Sequence, residues 1–418
     1  MEYIQAVLFT FKYILGQNSN TDILYLFSAL VLLFYAWRRH DKFAFILKTS
    51  VPFAIVCIGM ALLYPQIDVL RLFIFFAKMV LNVTFMLFVA YNSRKWKLTK
   101  FVKTVVLILA VETGLAFLLP NSSLWVTENL IGGTESVVRL KLFFLNAGAL
   151  SYACGFVLIL LVYQLITEEV VWHQVIGVVV VITDIYLSYG LGGLTSALMA
   201  VVFMLCLTYV YKFKDLQVKN KRKFIVISVL SFVSIATMII TNVVYVNRAK
   251  NIIEGTDYIL VQKLLNPMSK IGNVLLQTKW LGVGFGNANT DYALKVLDVS
   301  NAYPNSFLRI IAEGGIIGIA LVLFVVVGLM YISFKNGGMI DKSLCVYILV
   351  YQFVGGYFTD PTNFLIYGLI IGNCIKRQIK ATGTTKFKLF MPVVKETLFV
   401  GEIGVSEIIG TTKKTLVK

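Results

Sequence analysis

Charge is the scarcest commodity in this 418-residue chain, with Asp, Glu, Lys and Arg together making up only 14% of it. A soluble protein of that length spreads a much larger charged fraction over its surface, so one or two ordinary globular domains are excluded. Low hydrophobicity is also missing, which excludes disorder. Histidine is limited to His40 and His173. The five cysteines, Cys57, Cys154, Cys206, Cys345 and Cys374, all sit in apolar runs without CxxC or Cys/His ligand spacing. They read as small apolar helix residues, and no disulfide framework follows. The N-terminus has neither a basic n-region nor an Ala-x-Ala cleavage site, so no removable signal peptide is expected.

What is present is hydrophobic residue, 58% of the chain, and a net charge of +17. Such a balance fits nucleic acid or an anionic membrane surface. The hydrophobicity decides for the membrane and against nucleic acid, because the basic residues form short clusters between long apolar runs. A helix needs about 20 apolar residues to cross the hydrocarbon core. Eleven runs qualify: 23–37, 43–64, 69–91, 102–119, 142–166, 172–189, 192–211, 224–246, 315–334, 343–358 and 362–375. Run 3–16 is short and carries Lys12, so it is either a further span or an interfacial helix. The expected fold is all-α, a polytopic membrane protein of 11–12 transmembrane helices.

The loops between runs alternate in charge. Arg38, Arg39 and Lys42 form one basic set; Arg94, Lys95, Lys97, Lys100 and Lys103 form the next. Lys212, Lys214, Lys219, Lys221, Arg222 and Lys223 are the strongest, followed by Lys335 with Lys342 and by Lys376, Arg377 and Lys380. The intervening short loops carry only Arg139 and Lys141. The positive-inside rule makes the first group cytoplasmic. Both ends then lie inside if 3–16 spans. One external loop, 247–309, is far larger than the rest, at 63 residues with seven basic ones. Long loops of this kind are usually functional. Residues 1–380 therefore form a single transmembrane domain that includes this loop, and 381–418 form a cytoplasmic tail.

Ionisable residues inside spans are costly, and are paired or functional. Arg71, Lys78 and Asn82 fall at helical spacing on one face. Glu112 on the following span lies at a depth comparable with Lys78, so a Lys78–Glu112 ion pair is the economical expectation. A polar cavity for a charged lipid headgroup is the alternative. Asp184 is near the outer end of its span without a visible relay of partners, and Lys48 is expected to snorkel inward.

Two stretches of the large loop draw attention. Trp280-Leu281-Gly282-Val283-Gly284-Phe285-Gly286-Asn287 is a Gly-rich turn without the strand context of a dinucleotide motif. It either folds the loop back over the membrane or cradles a phosphate with its backbone N–H groups. Further on, Asn305, Arg309 and Glu313 follow at i, i+4 and i+8, aligned on one helix face with Glu313 placed to hold Arg309. Pro304 suits a first helical turn.

A Gly-rich turn, a polar segment and then Asn305-x-x-Leu308 leading to Glu313-Gly-Gly-Ile-Ile-Gly318 at the head of a span resembles the O-antigen polymerase/ligase family. A second patch agrees: Arg139-Leu-Lys-Leu-Phe-Phe-Leu-Asn146-Ala-Gly148, an Arg, aromatics and an Asn before small residues. The resemblance covers most of the chain and implies a GT-C-like glycosyltransferase architecture. Its implied substrate is an oligosaccharide on a polyprenyl diphosphate at the outer leaflet, with a chain-length regulator and a flippase as further partners. The ligase-type His is lacking, since Pro304 stands in its place. Met268 stands where many polymerases have an Arg early in the loop, with Lys270 or Lys263 as substitutes. Ser188-Tyr189-Gly190-Leu191-Gly192 lacks another family Arg. These departures favour polymerase over ligase.

Glycosyl transfer from a lipid diphosphate needs cations where negative charge develops and groups that orient the acceptor hydroxyl. Arg suits diphosphate through bidentate contacts. No external carboxylate cluster suggests a metal, and no cofactor is expected. The catalytic candidates are Arg139, Arg309, Asn305, Glu313 and Tyr303, with Asp291 and Asp298 as further carboxylates. Substrate contacts are expected from Arg71, Lys78, Arg248, Lys270, Gly282, Gly284, Gly286 and Asn146. A transporter or flippase of lipid-linked oligosaccharide is the principal competing class, and an external loop as long as 247–309 argues against it.

Overall fold

A computed structural model describes residues 2–14, 21–63, 67–93, 97–129, 136–168, 171–212, 250–251, 254, 265–297 and 305–382. The expected span 224–246, Arg248, Lys263, Asp298, Tyr303, Pro304 and the tail from residue 383 lie outside the described residues.

The helices run α1 (Glu2–Thr10), α2 (Ile23–Arg38), α3 (His40–Leu63), α4 (Val69–Asn92) and α5 (Leu98–Leu118). A hairpin of β1 (Trp125–Asn129) and β2 (Ser136–Leu140) follows, antiparallel, with Val126 opposite Arg139. Then come α6 (Ala147–Thr167), α7 (Trp172–Ser188), α8 (Leu191–Lys212), α9 (Asn266–Gln277), α10 (Asp291–Leu297), α11 (Ser306–Asn336), α12 (Met339–Val354) and α13 (Pro361–Thr382). Six of these, α3, α4, α5, α6, α8 and α11, are long and apolar enough to cross a membrane.

Hydrophobicity all round a helix marks it for the interior, and α6 is the case here. It is buried along nearly its whole length, against α5, α7, α8 and α12. Outer helices instead expose apolar side chains such as Leu33, Ile55, Leu62 and Val179, as lipid contact requires. Trp37 and Trp172 are exposed at one end of the bundle and Trp280 at the other, the belt positions that indole rings prefer.

Several expected spans differ from the observed helices, three of them at the chain's start or at the entry into a helix. Run 3–16 holds only the nine-residue α1, about 13 Å long, too short to cross by itself. It lies against α5, with Glu2 accepting from the Lys97 N–H at 3.2 Å. Run 142–166 starts its helix at Ala147, because the Asn146 side chain caps the helix by accepting from the Ala149 N–H at 2.8 Å. Run 315–334 is the second part of α11, which begins at Ser306 and breaks at Gly315 (φ 57°, ψ −132°).

Candidate functional site

The break in α11 and the Gly-rich turn make one structure. Lys279 and Trp280 adopt positive φ and reverse the chain after α9. Val283 and Gly284 then donate their N–H groups to the carbonyls of Ala312 and Glu313 at 3.0 and 2.9 Å. In return the Ile316 N–H, freed by the break, reaches the Trp280 carbonyl at 2.8 Å. Only glycine fits at the two crossing points. A Cβ on Gly282 (φ 78°) would lie 2.4 Å from the Glu313 carbonyl oxygen, and one on Gly315 would lie 2.0 Å from that of Trp280.

This clasp fixes the head of α11. Asn305 caps it, accepting from the Leu308 N–H at 3.0 Å, while its Nδ2 donates to the Phe353 carbonyl at the end of α12. One turn on, Arg309 Nε donates to Glu313 Oε1 at 3.0 Å, and the Gly286 N–H donates to Oε2, also at 3.0 Å. The guanidinium lies 5.6 Å from the centre of the Tyr357 ring.

Tyr357 belongs to the turn 355–360 between α12 (16 residues) and α13. Irregular backbone among membrane helices persists only where its polar groups are satisfied or line a cavity. Here the Thr359 carbonyl accepts from Tyr25 Oη at 2.5 Å and from Asn82 Nδ2 at 2.7 Å. Asn82 lies more than three turns inside α4. Asn363 Nδ2 donates to the Tyr357 carbonyl at 2.8 Å, and its Oδ1 accepts from Tyr152 Oη at 2.7 Å.

The N-terminal segment closes the basin from below. Lys12 is 1% exposed, with its Nζ 2.5 Å from Asp360 Oδ1, 2.9 Å from Thr362 Oγ1 and 3.4 Å from Asp22 Oδ2. Asp22 caps α2 by accepting from the Leu24 N–H at 2.9 Å. Burial pushes the Asp22 carboxyl up to about 7, with Lys12 opposing. Lys78 approaches from α4, 5.6 Å from the centre of the Tyr25 ring and within electrostatic reach of Asp22, Asp360 and Arg309. Three cations, Lys12, Lys78 and Arg309, thus face three carboxylates, Asp22, Glu313 and Asp360.

Several sequence expectations are redistributed. Lys78 does not pair with Glu112, because α4 packs against α2, α3 and α13. Glu112 instead faces α7, near Asp184, with both carboxylate oxygens buried and unbonded among the described residues. Gly282, Gly284 and Gly286 do not cradle phosphate, since their N–H groups are donated to Thr278 Oγ1 and to the carbonyl and carboxylate of Glu313. The Asn146 side-chain oxygen is taken by the cap of α6. Arg139, on β2, donates from Nε to the Ser188 carbonyl at 2.8 Å, securing the hairpin to the end of α7. Arg71 is half-exposed beside Asp68, Nε to Oδ2 3.2 Å. Lys270 and Met268 lie on α9, and Asp291 opens α10.

Sequence reasoning missed Lys12, Asp22, Tyr25, Tyr357 and Asp360 as site residues. A signal existed. An ammonium inside a short apolar run and carboxylates at the heads of two spans all need partners.

Chemically, the basin offers cations for an anionic group, a carboxylate with spare acceptor capacity and aromatic faces. Among the described residues no group of three or more His, Cys, Asp or Glu side chains is gathered to hold a metal ion. The fold defines a mostly helical, multi-pass membrane protein. No family model, curated protein or solved structure matches the chain.

Proposed function

We propose that the chain polymerises polyprenyl-diphosphate-linked oligosaccharide repeats into surface polysaccharide, as a metal-independent glycosyltransferase at the outer face of the cytoplasmic membrane. The observation that carries this reading is the gathering of Lys12, Lys78 and Arg309 about the turn 355–360, with Lys12 on Asp360, Arg309 beside Tyr357 and Lys78 beside the Tyr25 that binds the Thr359 carbonyl. A lipid diphosphate places its charge at headgroup level while its polyprenyl chain stays in hydrocarbon. Cations held just inside the apolar thickness suit that charge, and low local dielectric strengthens their pull on a departing diphosphate. Both histidines lie at helix starts on the opposite end of the bundle, at His40 of α3 and His173 of α7. That arrangement favours polymerase over a His-dependent ligase.

Deleting the gene and analysing surface and lipid-linked glycan tests the proposal. Single unpolymerised repeats at the surface are expected, and restored polymer on complementation. Unchanged long polymer in the deletion strain would sink it.

One observation favours the transporter reading. Glu112 and Asp184 are buried carboxylates on neighbouring helices, and among the described residues Asp184 is met by Thr113 at 2.7 Å and Cys154 at 3.9 Å. Buried acids of this kind occur in proton and ion pathways. The same deletion strain separates the two readings, because loss of a transporter traps lipid-linked repeats on the cytoplasmic side.

A further inference from the structure

The turn 355–360 has no assigned role beyond shaping the basin, yet its chemistry differs from that of the cationic wall. The three carboxylates of the basin are not equivalent. The Asp22 side chain is 0% exposed and is spent on Lys12 and the α2 cap. Glu313 is 2% exposed with both oxygens engaged, one by Arg309 and one by Gly286. Asp360 alone is open, at 15%. Its Oδ1 is held by Lys12 and by the Thr362 N–H at 2.8 Å, while Oδ2 makes no bond among the described residues. The carboxylate is therefore fixed in orientation by one oxygen and presents the other.

Beside it, Tyr357 is 51% exposed, and its carbonyl accepts the Asp360 N–H at 3.0 Å, so ring and carboxylate belong to one tight turn. Phe353 and Val354, at the end of α12, are exposed next to it. An exposed aromatic face with an oriented carboxylate is complementary to a saccharide, whose C–H face stacks on the ring while its hydroxyls donate to the oxygen. A diphosphate has no hydroxyl to donate and is repelled by a carboxylate. The turn thus selects the sugar end of a substrate, and the Lys78 and Arg309 side selects the phosphate end.

We infer that the turn 355–360 is the acceptor-saccharide subsite, with Tyr357 as its stacking platform and Asp360 as the carboxylate that takes the proton of the attacking hydroxyl. The inference rests on the polymerase reading. In the step, the acceptor O–H proton moves to Asp360 Oδ2 and the acceptor oxygen bonds to the anomeric carbon. The bond from that carbon to the diphosphate oxygen breaks, and its electron pair leaves on the polyprenyl diphosphate. Asp360 returns the proton to water after the product moves on. Lys12 and Asp22 act as positioning residues, keeping Oδ1 occupied so that Oδ2 faces the acceptor.

The test uses the full chain in proteoliposomes with lipid-linked repeats extracted from the deletion strain. The free repeat oligosaccharide, released from that lipid by mild acid, serves as competing acceptor probe. Asp360→Asn keeps the Oδ1 contacts and is expected to lower kcat by roughly 100-fold with KM nearly unchanged. Asp360→Glu restores a substantial part of the rate. Tyr357→Ala weakens the probe's inhibition roughly tenfold, and Tyr357→Phe, which keeps the ring beside Arg309, does not. Wild-type rates in Asp360→Asn, or unchanged probe inhibition in Tyr357→Ala, overturn the subsite. If Asp360→Asn proves unstable, the two Tyr357 variants decide alone. A wild-type protein that lengthens no lipid-linked repeat overturns the polymerase reading itself, a result distinct from active enzyme with indifferent turn variants.

Discussion

On the proposed polymerase reading Arg309 has a structural and a catalytic role that a single substitution confounds, and a double-mutant cycle separates them. Glu313 is 2% exposed, and Arg309 is its only charged partner among the described residues, at 3.0 Å. Removing that partner in Arg309→Ala leaves a buried carboxylate with one backbone donor from Gly286. Breaking a buried pair in this way costs about 3–5 kcal/mol. Glu313→Gln is milder. The amide oxygen still accepts a hydrogen bond, and Arg309 is 20% exposed and keeps some access to water, so about 1–2 kcal/mol is lost. In the double variant no unpaired charge remains, and its loss falls short of the summed single losses by about 2–3 kcal/mol, more than the whole Glu313→Gln loss. Thermal unfolding of the detergent-solubilised protein, followed by tryptophan fluorescence at a fixed scan rate, reads the order directly. Arg309→Ala melts lowest, by roughly 6–10 °C, and adding Glu313→Gln raises the midpoint again. A double variant that melts lower than Arg309→Ala refutes the burial argument. Polymer formation then reads the second role. The double variant is folded but lacks a cation at the diphosphate, so it makes no long polymer; wild-type polymer from it removes Arg309 from the reaction.

Two further substitutions test the architecture. Gly315→Ala places a Cβ 2.0 Å from the Trp280 carbonyl oxygen in a left-handed conformation, so the clasp must open. Destabilisation of at least about 1–3 kcal/mol is expected, with faster proteolysis of the 279–287 turn; an unaltered proteolysis pattern contradicts the clasp. Asp22 supplies a pH signature. Its folded value of about 7 lies above the ordinary carboxylate range, so its contribution to stability is complete below about pH 4 and is lost as pH rises through about 7. The melting temperature therefore falls between about pH 4 and about pH 7 and levels off above it, and Asp22→Asn, which keeps the α2 cap acceptor, flattens the fall. An identical slope in the variant rejects the assignment.

The parts of the structure that were legible in sequence are those with a local cause. A bilayer imposes a run of about 20 apolar residues wherever a helix crosses, and the long helices α3, α4, α5 and α8 follow it closely. Arg309 and Glu313 were legible as a pair because four residues along a helix bring side chains together regardless of context. Lys78 was legible as a buried charge, but its partners were not. Adjacency in sequence suggested α5, whereas α4 packs against α13, more than 270 residues away, and the contact Asn82–Thr359 spans 277 positions. Lys12 and Asp360 are 348 positions apart. No spacing rule joins such residues, and each alone resembled an interruption of an apolar run.

The placement of the turn 355–360 shows why hydropathy conceals such a site. Apolar shading extends from 343 to 358, because Val354, Tyr357 and Phe358 count as membrane residues while Asp341 and Lys342 do not. On that reading the turn lies at the surface. The helix instead runs Met339–Val354, four residues earlier. Asp341 accounts for the difference. It is 0% exposed, accepting from the Gly338 N–H at 2.8 Å and from Asn373 Nδ2 at 2.9 Å, with Arg377 Nε 3.6 Å away. A carboxylate so satisfied can start a helix inside the protein, where a hydropathy window expects a loop. Ending four residues sooner, the helix leaves 355–358 to the turn whose Thr359 carbonyl Tyr25 and Asn82 reach. Aromatic residues that looked like the end of a span are therefore the walls of the basin. The ionisable group that accounts for the early start sits at the other end of the same helix.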